Sequence, residues 1–282
     1  MALNVDLQGV SLGPFEHSWD STDCILYALS VGAGVSDLTF TTENSLGVEQ
    51  KVLPTFSVIA PGPAAMEIWT KLGEFDPAQL LHLEQRIKIC RELPASANVV
   101  TTAMVEGIYD RITGASAEVK FVVADAKTGE KLFETSSTVF IRGEGGFGGT
   151  RGARAKAFAI PERAPDFAVT YETQLNQALL YRLNGDRNPL HSDPEFARSA
   201  GFERPILHGL CTYGFAGRAL LSTCCGNNEE NFGDMSARFV APVYPGDLLT
   251  TSVWTVDGGA VFRVDNQSGV TVLDRGQFGY RE

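Results

Sequence analysis

The stretch from Tyr181 to Leu210 reads YRLNGDRNPLHSDPEFARSAGFERPILHGL, and the rest of the chain is best understood outward from it. It sets an acid, an amide and an imidazole, Asp186, Asn188 and His191, close together in one loop. Gly185 lets the backbone turn sharply, while Pro189 fixes its own φ and pushes Asn188 out of the helical region. Ser192-Asp193-Pro194-Glu195 has the S-x-x-E spacing of a capping box, and Gly201 supplies a stop, so a short helix is expected between them. His191 then lies just before a helix N-terminus, whose partial positive charge favours a neutral imidazole able to accept a proton. The bland alternative is ordinary turn chemistry, in which Asp and Asn bond only their own backbone.

Downstream, Pro205 and the apolar run after it place Gly209 near the start of a second helix, expected over 205–222. Free N–H groups point outward there, and a glycine lets a ligand approach the backbone closely. His208, beside it, reads as structural.

With 282 residues the chain has room for one large domain or two ordinary ones. Hydrophobic residues make up 44% and charged residues 20%, values of a globular protein in water. A formal net charge of −11 argues against a general nucleic-acid or anionic-membrane binder, and any anionic ligand would need a local cluster of cations. The expected partners therefore include no nucleic acid and no membrane. No apolar run is long enough to span a bilayer, no signal peptide opens the chain and no peroxisomal tripeptide closes it, so a cytoplasmic location is expected. Cys24, Cys90, Cys211, Cys224 and Cys225 show no metal spacing and read as small buried hydrophobes; no metal site is expected.

Upstream, residues 20–33 (DSTDCILYALSVGA) have cap candidates followed by helical spacing. Residues 54–59 read as extended, 63–72 as a helix, and Asp76-Pro77 as a capped turn running through Leu81. Segments 84–92, 98–110, 116–125 and 130–141 are rich in β-branched residues and broken by turn signals, the pattern of an antiparallel meander. Residues 143–165, dense in glycine, read either as a flexible linker or as a ligand-facing loop in which Arg151, Arg154 and Lys156 supply positive charge. The plan then repeats, with a partly helical 171–183, the loop, the second helix and strands at 235–242, 247–256, 260–266 and 269–278. Similarity between the halves, residue by residue, is faint. No G-x-G-x-x-G follows a strand, so no dehydrogenase activity is expected.

The loop resembles the signature of the hydratase 2 (MaoC-like) family, carried here by Tyr181, Leu183, Asn184, Gly185, Asp186, Asn188, Pro189, Leu190, His191 and Ala197. Asn184 stands where serine, threonine or glycine is more usual. Residues 23–33 also resemble the N-terminal motif of the two-domain members. The resemblance covers nearly the whole chain. It implies an α+β double hot-dog fold, each half a long helix wrapped by a curved antiparallel sheet. The implied division is a non-catalytic half at 1–142 that houses acyl chain and CoA, a glycine-rich linker at 143–165, and a catalytic half at 166–282. The implied reaction is reversible syn addition of water to a trans-2-enoyl-CoA, giving a (3R)-3-hydroxyacyl-CoA, in fatty-acid or sterol side-chain metabolism. Asp186 and His191 would share the water, Asn188 would orient them, and the Gly209 N–H would face the thioester oxygen. Substrate contacts are implied for His82, Leu83, Arg111 and Phe239, with Arg187, Pro189 and Leu190 in the loop. Leu83 replaces a frequent glycine, which could narrow the site. Arg111 reads equally as surface charge, and Phe239 as plain strand core. No cofactor is implied, because CoA belongs to the substrate. Two hot dogs in one chain leave both a monomer and a homodimer open.

Other readings remain beside this one: a dehydratase working on acyl-carrier protein, a non-catalytic acyl-thioester binding module, or a hot-dog thioesterase. An acidic carrier protein would dock poorly on an acidic chain, which favours CoA. A binder has no use for Asp186, Asn188 and His191 together, and a thioesterase would leave the double bond intact.

Overall fold

The strands of this protein form one continuous ten-stranded sheet whose order is the same read from either end. In the computed structural model, which describes residues 3–76, 79–152 and 158–281, the strands of the first half are β1 (Ser11–Trp19), β2 (Leu80–Ile89), β3 (Ala97–Asp110), β4 (Gly114–Asp125) and β5 (Lys131–Arg142). Those of the second are β6 (Phe167–Glu172), β7 (Phe232–Phe239), β8 (Leu248–Val256), β9 (Gly259–Asn266) and β10 (Thr271–Tyr280). Their order is β1-β3-β4-β5-β2-β7-β10-β9-β8-β6, so β1 matches β6, β3 matches β8 and β2 matches β7. The repeat that was faint in residues is plain in topology.

The halves join where β2 pairs antiparallel with β7, from Glu84↔Arg238 to Lys88↔Asp234. Two ion pairs straddle the seam, Glu84–Arg238 at 3.1 Å and Arg86–Asp234 at 3.5 Å. Exposed pairs of this kind contribute little, about 0–1 kcal/mol each, and serve register more than stability. Alternation builds the strands themselves: along β3, Val99, Thr101, Ala103 and Val105 face inward and Val100, Thr102, Met104 and Glu106 outward.

The helices are α1 (Ser21–Ser30), α2 (Leu38–Thr41), α3 (Gly62–Leu72), α4 (Gln177–Tyr181), α5 (Pro194–Ser199) and α6 (Gly209–Cys225). A reciprocal capping box between Asp20 and Asp23 starts α1. The long helix α6 is apolar and buried on nearly every side, as suits a helix enclosed by sheet. Burying a side chain such as Phe215 or Leu220 there stabilises by about 1.5–3 kcal/mol. Gly214 and Gly217 let neighbours press against it: a Cβ at Gly214 would lie 2.5 Å from Val31, and one at Gly217 2.4 Å from Thr55. Two cores result. One surrounds α6 and includes Tyr27, Val31 and Phe56 from the first half; the other packs α3 on β1, β3, β4 and β5. Among the described residues no helix is long and apolar enough to cross a membrane.

Several local expectations are corrected. β1 carries Gly13-Pro14 inside it, which a central strand would not tolerate; it is an edge strand whose register shifts between Leu12 and Phe15. β6, the opposite edge, takes in Tyr171 and Glu172 at the start of the stretch expected to be partly helical, and α4 within it is only one short turn. Residues 54–58 form a 3₁₀ turn opened by Pro54 instead of an extended piece. β2 begins at Leu80, so the turn expected through Leu81 is cut short; Pro77 lies outside the described residues. The cap of α5 is Asp193, not Ser192, because Pro194 takes the first helical position and the Asp193 carboxylate accepts from the N–H groups of Glu195 and Phe196. Cys24, Cys211 and Cys225 are buried as expected, whereas Cys90 and Cys224 are only half-buried.

The glycine-rich stretch after β5 is tied back onto the β3–β4 hairpin. The Asp110 carboxylate accepts from the N–H groups of Gly146 at 2.9 Å and Gly148 at 2.8 Å, and the Asp110 N–H donates to Thr150. The N–H groups of Gly146, Ile112 and Gly148 hold the Asp110 carboxyl below the usual carboxylate range. Arg154 and Lys156 lie outside the described residues.

Candidate active site

The loop after α4 is built by short-range hydrogen bonds. Gly185 has φ +118°, a conformation that side chains rarely adopt. The Asp186 carboxylate accepts from the N–H of Asn188 at 3.1 Å, and the Asn188 side chain accepts from the N–H of Leu190 at 3.0 Å. Asn188 thus caps a 3₁₀ turn, Pro189–His191, that carries the imidazole. Asn184 donates to the Ser30 hydroxyl and to the Tyr181 carbonyl, both at 2.8 Å, so the unusual residue of the motif fastens the loop to α1. The aromatic position, Tyr181, is wedged between Tyr27 at 6.3 Å and His208 at 4.9 Å between ring centroids.

His191 is buried, and its Nδ1 lies 2.9 Å from the Ile206 carbonyl. A carbonyl can only accept, so Nδ1 carries the hydrogen and Nε2 keeps its lone pair. Burial holds the His191 pKa below the ordinary histidine range, against the pull of Asp186. One donor atom each from Asp186, His191 and His208 lie within 4.8 Å of one another. That span is under two hydrogen bonds of ~2.8 Å laid end to end, so one water can touch acid and imidazole together. The same trio could offer ligands to a metal ion. The His191 and His208 rings are stacked at 3.7 Å and 27°, and one nitrogen of each already faces a backbone carbonyl, which leaves each ring a single nitrogen to offer.

Gly209 opens α6 as its first residue, so its N–H has no partner within the helix. A Cβ there would lie 3.0 Å from the Phe239 ring. That ring in turn packs against His82 at 4.8 Å between centroids. The His82 Nε2 lies 3.1 Å from the Glu84 carbonyl, and burial pushes its pKa down to about 4 although Asp186 pulls the other way. His82 thus comes from the first half to pack on the ring that faces Gly209. Leu83 occupies the register shift between β2 and β5. Arg187 and Pro189 are exposed on the loop and Leu190 is buried beneath it. Arg111 stands apart from this contact chain, committed at the β3–β4 hairpin to the Ser116 hydroxyl at 2.9 Å and to the Arg151 carbonyl.

A hollow of about 290 Å³ opens beside Leu183, Asn184 and Gly185 and runs between Trp19, Phe56, Ile59 and Pro63, with His17 and Asp23 on its wall. Sequence reasoning missed Trp19, Phe56 and Ile59 as wall residues, because β1 and the 3₁₀ turn with its cap, which supply them, carry no clear periodic signal. A larger cleft of about 620 Å³ lies at Cys90, Asp125 and Arg281. It is lined by no imidazole, and its Arg91 is paired with Glu130 at 2.7 Å, so it lacks the chemistry of the loop.

Known proteins match this arrangement throughout. The MFE-2 hydratase 2 N-terminal domain pattern matches residues 17–143, and the MaoC like domain pattern matches residues 156–275. A 3-hydroxyacyl-thioester dehydratase Y from Mycobacterium tuberculosis is 46% identical, over 99% of this chain and 99% of its own. The chain belongs to the two-domain MaoC-like hydratase 2 family. A probable enoyl-CoA hydratase 2 of Dictyostelium discoideum is 38% identical over 97% of this chain and 96% of its own. The crystal structure of a MaoC-like dehydratase from Phytophthora capsici superposes with a TM-score of 0.88 at 32% identity, covering 99% and 98% of the two chains. The fold of this hydratase 2 family member is accordingly the α+β double hot dog that the loop motif implied.

Proposed function

We propose that this protein is a (3R)-specific 2-enoyl-CoA hydratase, adding water reversibly to a trans-2-enoyl-CoA. The observation that carries the reading is the spacing of Asp186 and His191, within 4.8 Å, on a loop next to the first N–H of α6. In this reading the Asp186 carboxylate and the His191 Nε2 hold one water. Its hydroxyl bonds to C3 while its proton is passed through the pair to C2 on the same face. The thioester oxygen, which gathers negative charge as the enolate forms, accepts from the Gly209 N–H. Every atom of water ends in the product, so no oxidant, reductant or cofactor beyond the substrate's own CoA is required. The reverse direction is the dehydratase reaction, and pathway equilibrium selects between them.

We assign the catalytic role to residues 166–282 and the housing of the acyl chain to the first half. Trp19, Phe56 and Ile59 give the hollow beside Gly185 an apolar wall suited to an alkyl tail. The net charge of −11 favours CoA over an acidic carrier protein, and Arg187, exposed with no protein partner among the described residues, is free to meet a phosphate. Five unpaired thiols suit a reducing cytoplasm.

Turnover of crotonyl-CoA, followed by loss of the enoyl absorbance with no release of free thiol and by chiral analysis of the product, tests the activity. Thiol release with the double bond retained would replace it with a thioesterase. Ile59→Trp tests the acyl wall. Filling the hollow should leave crotonyl-CoA turnover unchanged but lower kcat/KM for a ten-carbon enoyl-CoA by about tenfold, the effect of excluding about two methylenes at ~0.8 kcal/mol each. Equal loss on both substrates would remove the hollow from the acyl path.

A further inference from the structure

His208 occupies the N-cap position of α6, yet its side chain makes no capping hydrogen bond. Imidazole is not among the favoured caps, so something other than the helix end accounts for the ring at this position. The ring is 1% exposed and lies face to face with His191, centroids 3.7 Å apart and planes at 27°. Its Nε2 is 3.3 Å from the backbone carbonyl of Asp186. Since the carbonyl can only accept, Nε2–H donates and Nδ1 is left as a bare acceptor; that Nδ1 is buried and has no protein partner. One ring therefore touches both members of the pair, the acid through its backbone and the imidazole through its face.

We propose that His208 is a positioning residue for the water-holding pair: its ring clamps the His191 imidazole against the Ile206 carbonyl while its Nε2–H pins the backbone of Asp186. The inference rests on the reading of Asp186 and His191 given above. It also requires that His208 stay neutral, so that His191 can hold a proton in turnover without facing a second cation. The groups that face His208 are His191 and Asp186 from the loop, Arg182 from the turn before it and Tyr181 from α4. Burial, His191 and Arg182 all disfavour a charge on the ring, and only Asp186 favours one; the net effect holds its pKa near 3. Neutrality thus follows from the surroundings as well as from the hydrogen bond.

Two substitutions separate the two contacts. His208→Gln keeps an N–H donor for the Asp186 carbonyl and removes the ring. His208→Phe keeps a stacking ring and removes the donor. With crotonyl-CoA, both should lower kcat by about 10²-fold through misplacement of the pair, with KM held within about twofold because His208 is sealed from substrate. Only His208→Gln should raise the acid limb of kcat/KM, by roughly half a unit or more, because it uncovers His191 and relieves the desolvation that keeps it neutral. A folded His208→Gln enzyme with near wild-type kcat, or with an unmoved acid limb, would overturn the proposal. Nitrogen-15 spectra of the wild-type histidine rings decide independently of any variant's folding. Between about pH 5 and 8, His208 should appear as the neutral Nε2–H tautomer, and above about pH 7 His191 should appear as the neutral Nδ1–H tautomer. An Nδ1–H tautomer at His208, or its protonation in that range, sinks the idea. If the wild type hydrates no enoyl-CoA, the functional reading fails, and the tautomers still stand or fall by the spectra.

Discussion

Asp186→Asn and His191→Gln are each expected to lower kcat for enoyl-CoA hydration by about 10²–10⁴-fold, the usual contribution of a group that moves a proton in the transition state. KM should change little, because neither side chain is asked to hold the substrate's bulk. The double variant should be scarcely worse than the poorer single one, since two groups that share one water act as a unit. Additive losses would mean that the two residues serve separate steps. The pH profile follows from the same geometry. Hydration needs the proton-accepting form of the pair, and burial holds the His191 pKa below the ordinary value of about 6.5. Activity should therefore persist as pH falls through that value and decline only below it. The limb belongs to the coupled pair and not to either residue alone. An acid limb centred above about pH 7 would contradict a buried, neutral His191.

The second large effect concerns stability and the union of the two halves. Lys51, in the loop after α2, is paired with Glu229, just after α6, and lies 3.7 Å from Glu92. The Glu229 side chain is 3% exposed and that of Lys51 28%. Lys51→Met should destabilise the protein by about 3 kcal/mol, because it leaves a carboxylate sealed in the fold without its cation. For a chain of this size that corresponds to a fall in Tm of about 6–12 °C. Adding Glu229→Met should restore most of the loss, since the pair as a whole contributes little beyond what apolar packing would supply. Thermal unfolding followed by circular dichroism checks both steps. If the single variant melts like the wild type, the pair is ornamental; if the double variant melts no higher than the single, the loss comes from packing around Lys51 and not from an orphaned charge.

A third consequence of the fold is that neither half owns the site. Ser30 of α1 receives Asn184 and, through its carbonyl, Gln177 at 2.7 Å, so the first half braces the loop of the second. His82 enters from β2 and meets Phe239 of β7 next to the seam that joins the sheets. Arg218 of α6 reaches back to Asp37 at 3.1 Å and lies over Tyr171. Substitutions in the first half should thus reach turnover through the loop's geometry, even though the acid and imidazole lie in the second.

Much of this protein was legible in the chain alone. Alternating β-branched runs and punctuating glycines announced β3, β4, β5, β8, β9 and β10, because half-buried strands impose a period of two that composition cannot hide. The Asp186–His191 loop was legible because glycine, proline and Asx turns work over neighbouring residues, and neighbours are what a sequence lists. The edge strands β1 and β6, the wall of Trp19, Phe56 and Ile59, and the stack of His208 on His191 were decided only in three dimensions. Edge strands carry weak patterns, and a wall or a stack joins residues distant in the chain whose identities alone, a tryptophan, an isoleucine, a histidine before a glycine, fit a dozen other roles. Local geometry is written in local sequence; the distances between an acid, an imidazole and a helix end exist only once the sheet has closed around α6.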